Sequence, residues 1–188
     1  PYQQRGLSWL AFLDRFGLGS CLADDMGLGK TVQLLALLLH ERKGGAQPGC
    51  TLLVVPTSVV SNWKREAERF APELRVAIHH GLERNSGDSF DRMVESSDII
   101  VTTYSLVGRD KEDLERTEWH RVVLDEAQYI KNPPTKQAAT IRSLSATRRI
   151  ALTGTPVENR LSELWSIMEF LNPGYLGSSG EFRRRFAV

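Results

Sequence analysis

The stretch Ala23-Asp24-Asp25-Met26-Gly27-Leu28-Gly29-Lys30-Thr31 joins a short apolar run at 20–23 to a leucine-rich run that begins at Val32. Two glycines let successive backbone N–H groups turn toward an anion, and a helix N-terminus adds its positive dipole end. Lys30 and Thr31 then offer an ammonium and a hydroxyl suited to a β/γ-phosphate and Mg2+. The stretch predicts a strand, a phosphate-cradling loop and a helix, the opening of an α/β nucleotide-binding fold. A plain glycine turn capped by Thr31 is the alternative reading, and these residues alone leave it open.

A second run lies about 95 residues further on. Val122-Val123-Leu124-Asp125-Glu126-Ala127-Gln128 is an apolar strand pattern that ends abruptly in two carboxylates. Asp125 at such a strand end suits Mg2+, held through a water. Glu126, pointing elsewhere, suits the orientation or deprotonation of an attacking water. Two ordinary surface acids at a solvated strand end are the bland reading, and the lysine loop makes it the weaker one.

Around these two runs, short apolar stretches alternate with amphipathic ones, the pattern of a mainly parallel sheet with helices on both faces. Strands are expected near 20–23, 51–55, 75–79, 99–102, 121–125 and 148–152. Helices are expected near 2–16, 30–42, 59–70, 86–95, 110–116, 134–145 and 160–171. From Val32 to Leu39 the helix after the loop is apolar nearly all round, so it should be buried against the sheet. Gly44 to Gly49 reads as a flexible surface loop.

Three further strand ends carry hydroxyls. Leu52 to Val55 runs into Pro56-Thr57-Ser58 and then Asn62-Trp63-Lys64-Arg65, and Ile99 to Val101 runs into Thr102-Thr103-Tyr104-Ser105. In an open α/β sheet these ends face the binding crevice, where hydroxyls, N–H groups and helix N-termini suit a phosphate chain. Helix caps at Ser58 and Ser61, and β-forming roles for Thr102 and Thr103, explain the same residues equally well. The third end, Leu152-Thr153-Gly154-Thr155-Pro156, carries hydroxyls that could bond the carboxylates at 125 and 126; a plain turn before a helix start is the other reading, and the tetrapeptide alone does not decide between them.

The 188 residues fit one well-cored domain, and 41% apolar with 25% charged residues excludes a disordered or fibrous chain. A formal net charge of +1 gives no global electrostatic argument for nucleic acid, so any such site must be a local patch. Cys21 and Cys50 form no CxxC pair and read as reduced core thiols. His40, His79, His80 and His120 share no metal-ligand spacing. With Leu34 to Leu39 as the longest aliphatic run, a soluble protein of the cytosol or nucleus is expected. The start at Pro1 and the ending Glu181 to Val188 predict missing sequence at both ends.

Taken in order, these runs resemble the first RecA-like lobe of a superfamily 2 helicase-type P-loop NTPase, and more narrowly the Swi/Snf-type remodelling ATPases and their bacterial relatives. Asp24 to Thr31 resembles motif I, with the family's Asp where a Walker A loop carries its first glycine. Val54 to Trp63 resembles motif Ia, Val101 to Ser105 motif Ib, Asp125 to Gln128 motif II, and Leu152 to Asn159 motif III. Pro1-Tyr2-Gln3, with Gly6 and Trp9-Leu10, resembles the segment that contacts adenine.

The resemblance implies ATP and Mg2+ as ligands. Gln3, Asp25, Met26, Gly27, Leu28, Gly29, Lys30 and Thr31 would bind the nucleotide, with Thr31 and Asp125 toward the metal. Lys30, Asp125 and Glu126 would carry catalysis. Pro56, Thr57, Ser58, Asn62, Trp63, Lys64, Thr102, Thr103 and Tyr104 would face double-stranded DNA, although Trp63 also reads as a filler of gaps between elements. Gln128, Thr153, Gly154 and Thr155 would couple the sites.

By the same resemblance, residues 1–171 form the ATP-binding lobe and 172–188 lead out toward a second RecA-like lobe that the chain lacks. DNA-bound proteins are possible further partners. The expected setting is the cytoplasm, with the nucleoid, in a prokaryote, and the nucleus in a eukaryote. Gln128 stands where eukaryotic members usually carry His, and Glu158 where many carry Gln, which fits the bacterial branch better. A strand-separating RNA or DNA helicase of the same superfamily, or a non-hydrolysing binding module, are the competing readings. A GTPase-like switch would need an NKxD run, which the sequence lacks.

Overall fold

The computed structural model describes residues 2–25, 27–43, 45, 48–132, 135–156 and 161–186. In chain order these form α1 (Tyr2–Arg15), β1 (Ser20–Ala23), α2 (Lys30–Lys43), β2 (Thr51–Val55), α3 (Val60–Phe70), β3 (Val76–Ile78) and α4 (Asp88–Ser96). There follow β4 (Ile99–Thr103), α5 (Tyr104–Val107), α6 (Lys111–Arg116), β5 (Trp119–Asp125), α7 (Lys136–Ser143), β6 (Ala146–Thr153), α8 (Leu161–Leu171) and α9 (Ser179–Phe186). Short 3-10 turns at Thr57–Val59 and Ala127–Ile130 follow β2 and β5.

The six strands form one sheet in the order β1-β6-β5-β2-β4-β3, parallel at every pairing. Each crossover therefore passes over a face of the sheet, and alternate side chains of each central strand feed opposite layers. Leu53, Val55, Val123, Ile150 and Leu152 pack with Leu10 of α1, the leucines of α2, and Val60, Trp63 and Ala67 of α3. Leu52, Val54, Val122, Leu124 and Ala151 face the other way, onto Phe90 of α4, Tyr104 and Val107 of α5, Ala138 and Ile141 of α7, and Ile167 and Phe170 of α8. As its apolar run requires, α2 buries Gln33, Leu34, Leu35, Leu37 and Leu38.

Four strands differ in extent from the expectation, β4 only by the added Thr103. β5 starts two residues earlier because Trp119 is buried and its indole donates to the Leu114 carbonyl at 3.0 Å. β6 begins at Ala146 despite Thr147, Arg148 and Arg149, since the Arg149 guanidinium is satisfied by the carbonyls of Leu144 at 2.7 Å and Phe170 at 3.2 Å. β3, at the sheet edge, is shorter than expected. The expected start of the helix at 134, that of the helix at 160, and residues 44, 46 and 47 of the expected loop lie outside the described residues.

Two helices were not anticipated. α5 forms at 104–107, immediately after β4. α9 forms within the expected lead-out, where Ser178 and Glu181 make a capping box: Ser178 N–H donates to Glu181 Oε2 at 2.8 Å, and Glu181 N–H to Ser178 Oγ at 3.3 Å. Phe182 is buried beneath it, and the Trp165 indole of α8 donates to the Gly177 carbonyl at 3.0 Å.

At the N-terminal ends of the strands, Arg121 is fully buried and bonds Glu41 at 2.5 and 2.9 Å and Asp14 at 3.0 Å. Arg148 joins Asp14 at 3.1 Å. These ion pairs tie α1 and α2 to the middle of the sheet and leave the opposite, C-terminal ends for ligand chemistry. Both cysteines are free thiols, and burial pushes Cys21 up to about 11 and Cys50 to about 12. No helix among the described residues is long and apolar enough to cross a membrane.

Candidate nucleotide site and nucleic-acid face

Strand register brings the functional ends together. Ala23 pairs with Thr153 across β1 and β6, Asp125 with Leu152 across β5 and β6, and Val55 with Thr103 across β2 and β4. With Val54 opposite Leu124, the last residues of five strands lie within one residue of a common row. The loops they launch therefore open into one crevice.

The phosphate loop needs its glycines. Gly27 and Gly29 have φ of +83° and +80°, the left-handed region that a side chain rarely adopts. A Cβ on Gly29 would stand 2.5 Å from Gln3 Nε2, so the loop also packs directly beneath Gln3. Lys30 opens α2, and its ammonium donates to the carbonyls of Asp24 at 2.7 Å and Asp25 at 3.2 Å. It is thus folded over the loop, within reach of an anion held there. Met26 lies outside the described residues, Leu28 and Asp25 are exposed, and Thr31 is half-buried.

Asp24 has a role that spacing could not disclose. Its carboxylate accepts from the Tyr2 hydroxyl and from Gln33 Nε2, the latter at 3.2 Å. It joins the start of α1, the loop and α2. Gln33 was hidden within the leucine run as a fully buried polar residue.

At the end of β5, Asp125 is half-exposed as a residue but its carboxyl is desolvated, which raises its pKa; the Trp63 indole N–H works in the opposite direction. That N–H donates to Oδ2 at 2.7 Å, and the Glu126 N–H donates to Oδ1 at 3.0 Å. A desolvated carboxylate with few donors is completed by a nearby cation, and on this ground Asp125 fits Mg2+. Glu126 has φ +51° and ψ +56°, the one non-glycine positive φ among the described residues. The left-handed residue breaks the strand direction directly after Asp125.

Gln128 bridges the second acid to the next strand. Its Nε2 donates to Glu126 Oε2 at 2.7 Å, while its Oε1 accepts from Thr153 Oγ1 at 2.8 Å. Thr153 Oγ1 also accepts from the Thr155 N–H at 3.1 Å. The expected contact from the threonine hydroxyl to the carboxylate is therefore relayed through Gln128. Gly154 lies in the turn between them; Glu158 and Asn159 lie outside the described residues.

The nucleic-acid assignment divides in two. Thr57, Ser58 and Lys64 are exposed, as are Ser61, Arg65 and Ser105, and Asn62 is half-buried. Pro56, Trp63, Thr102, Thr103 and Tyr104 are buried, so these five present no side-chain surface to a duplex. Trp63 turns inward because Val60, Trp63 and Ala67 form the apolar stripe of α3, a 3-4 spacing already visible in the sequence. Tyr104 stacks on Tyr129 with ring centroids 4.8 Å apart, and its hydroxyl donates to the Asp125 carbonyl at 2.7 Å.

Among the histidines, His79 is buried at the end of β3 and meets Asp110 at 2.9 Å, while Arg84 grips the same carboxylate at 2.6 and 2.7 Å. Burial lowers its pKa against the opposing pull of Asp110. No group of three His, Cys, Asp or Glu side chains among the described residues could hold a metal.

Comparison with known proteins agrees with the fold. The model of the SNF2-related domain matches residues 2–188. The chain belongs to the SNF2-related family. Over its full length it is 50% identical to YwqA of Bacillus subtilis (strain 168), covering 20% of that protein. It is 37% identical over 199 residues to the TATA-binding protein-associated factor MOT1 of Saccharomyces cerevisiae, covering 99% of this chain and 10% of MOT1. It also superimposes on the SWI2/SNF2 ATPase core of Sulfolobus solfataricus, solved in complex with dsDNA, with a TM-score of 0.89 and 48% identity. That match covers all of this chain and 38% of the Sulfolobus chain. The RecA-like lobe expected from the sequence is the fold observed, and the chain spans a fifth or less of YwqA and MOT1.

Proposed function

We propose that this chain is the ATP-binding lobe of a DNA-dependent ATPase that translocates on double-stranded DNA and remodels protein–DNA complexes. The observation that carries the reading is the common row of strand ends, which places the Lys30 loop, the Asp125–Glu126 pair and the Gln128–Thr153 relay around one crevice. Its 48% identity to an ATPase core solved with dsDNA supports the choice of polymer.

In this reading the loop N–H groups and the Lys30 ammonium hold the β- and γ-phosphates, and Gln3, packed against Gly29, takes the adenine side. Thr31 and Asp125 would hold Mg2+, which when bound neutralises charge on the phosphate oxygens. Glu126 accepts the proton of the attacking water, its carboxylate oriented by Gln128. The products are ADP and phosphate. Residues 1–171 form this lobe, and 172–188 lead toward a second lobe.

DNA would lie over Thr57, Ser58, Ser61, Lys64 and Arg65 and the exposed Ser105 of α5, contacted through its backbone and therefore without sequence preference and with strong salt dependence. The protein would act where DNA is: with the nucleoid of a prokaryote or in the nucleus of a eukaryote.

The test is ATP turnover by the full-length protein and its Glu126→Gln variant with duplex DNA, single-stranded DNA or RNA. Stimulation chiefly by duplex, abolished in the variant, is expected. Stimulation chiefly by RNA or single strands would replace the translocase reading with that of a strand-separating helicase.

A further inference from the structure

Two aromatic residues beneath the nucleic-acid face point away from it and grip the catalytic acids. Trp63 belongs to α3, whose outward surface carries Ser61, Lys64 and Arg65; its own side chain is buried, and its indole N–H reaches Asp125 Oδ2 at 2.7 Å. Tyr104 begins α5 directly after β4, beside the exposed Ser105. Its buried hydroxyl donates to the main-chain carbonyl of Asp125 at 2.7 Å and lies 3.4 Å from that of Glu126.

The two contacts fix different features of one turn. Trp63 orients the Asp125 carboxylate, and Tyr104 holds the backbone where it enters the left-handed conformation of Glu126. A left-handed non-glycine residue is a local strain that persists only while its surroundings impose it. Removing or shifting either donor would let the turn relax and re-aim Glu126. The donors sit on α3 and α5, the elements that a bound duplex would press, so the path from the outer face to the acids is one side chain deep.

We propose that Trp63 and Tyr104 are positioning residues that couple DNA engagement at α3 and α5 to the geometry of the Asp125–Glu126 turn. This inference rests on the DNA-dependent reading above. It assigns to each residue an effect on turnover number rather than on the affinity for DNA or nucleotide.

The experiment uses the full-length protein with Trp63→Phe and Tyr104→Phe, which keep an aromatic ring and delete the donor. Thermal melting reports folding, fluorescence anisotropy gives the Kd for a labelled duplex, a fluorescent ATP analogue gives nucleotide affinity, and turnover is measured with and without duplex. Loss of an outer partner that orients a metal-ligating side chain, the role proposed for Asp125, typically costs about 10–100-fold. The expected result is a duplex-stimulated kcat reduced about tenfold or more and a clearly smaller fall in basal turnover, so that the stimulation ratio drops, with both affinities within about twofold and the melting temperature nearly unchanged.

Equal stimulation of variants and parent would overturn the coupling while leaving the DNA reading intact. Loss of duplex affinity in either variant would also overturn it, by making the residue part of the binding surface or of a general scaffold. A proportionate loss of basal and stimulated turnover would assign the contacts to catalysis without coupling. A parent protein that duplex fails to stimulate would remove the DNA reading itself, and the coupling with it.

Discussion

Gly19 shows how closely single residues are constrained away from the crevice. A Cβ there would stand 2.1 Å from the Leu171 carbonyl oxygen and 2.6 Å from its carbon, both of them backbone atoms. The Asn172 side chain also clasps Gly19, accepting its N–H at 2.9 Å and donating to its carbonyl at 3.3 Å. The end of α8 is thereby seated against the start of β1, with no flexible side chain able to yield. Gly19→Ala should lower stability by about 2 kcal/mol or more through overpacking. In a protein of this size that is a fall of roughly 4–8 °C in melting temperature, measurable by calorimetry. Nothing in the sequence around Gly19 announces this contact, because it joins positions 152 residues apart.

Between residues and the whole, the elements are held by clamps such as Asp98, which precedes β4. Its carboxylate accepts from the Arg75 N–H at 2.8 Å and from the Arg75 guanidinium at 2.9 and 3.2 Å, and pairs with Arg42 of α2 at 3.2 Å. Desolvation alone would raise its pKa, but Arg75 and then Arg42 outweigh that and hold it at about 2. Since the folded value lies below the unfolded one, the clamp contributes fully above about pH 4. That contribution is lost as pH falls toward 2. Asp98→Asn should therefore flatten the acid limb of stability in that window, in urea titrations at successive pH values, with partial exposure keeping the effect modest.

Elements were the most legible level. All six strands were anticipated close to their observed places, because a parallel sheet buried on both faces writes each strand as a short apolar run. The longer helices were equally plain. α9 was missed although its Ser178-Ser179-Gly180-Glu181 capping box is written in the chain. α5 was missed because four residues give no periodicity. At the site, the Gly-rich loop and the paired acids were readable as local patterns. Which way Trp63 and Tyr104 point depends on helix orientation over the sheet, though the 60-63-67 stripe carried the hint for Trp63. The Gln128 relay required the pairing of β5 with β6, which no local pattern encodes.

For the whole molecule, the crevice lies at the C-terminal ends of the strands. Lys30, Asp125 and Glu126 lie on this lobe, and in our reading the groups that stabilise charge on the γ-phosphate come from a second one. A missing arginine finger costs about 10³ to 10⁵ in rate. Residues 1–188 alone should therefore hydrolyse ATP barely, with or without duplex. Adding back the remainder of the parent chain should restore turnover, and strong stimulated turnover by the isolated 188 residues would refute this division of parts.

The ion cluster of Asp14, Glu41, Arg121 and Arg148 has a thermal consequence. Hydration of charged groups becomes less favourable as temperature rises, so the cost of burying Arg121 shrinks while its attraction to the two carboxylates persists. The hydrophobic layers on either side have no such late gain. Warming therefore shifts a growing share of the burden of cohesion onto this knot beneath the sheet, opposite the crevice.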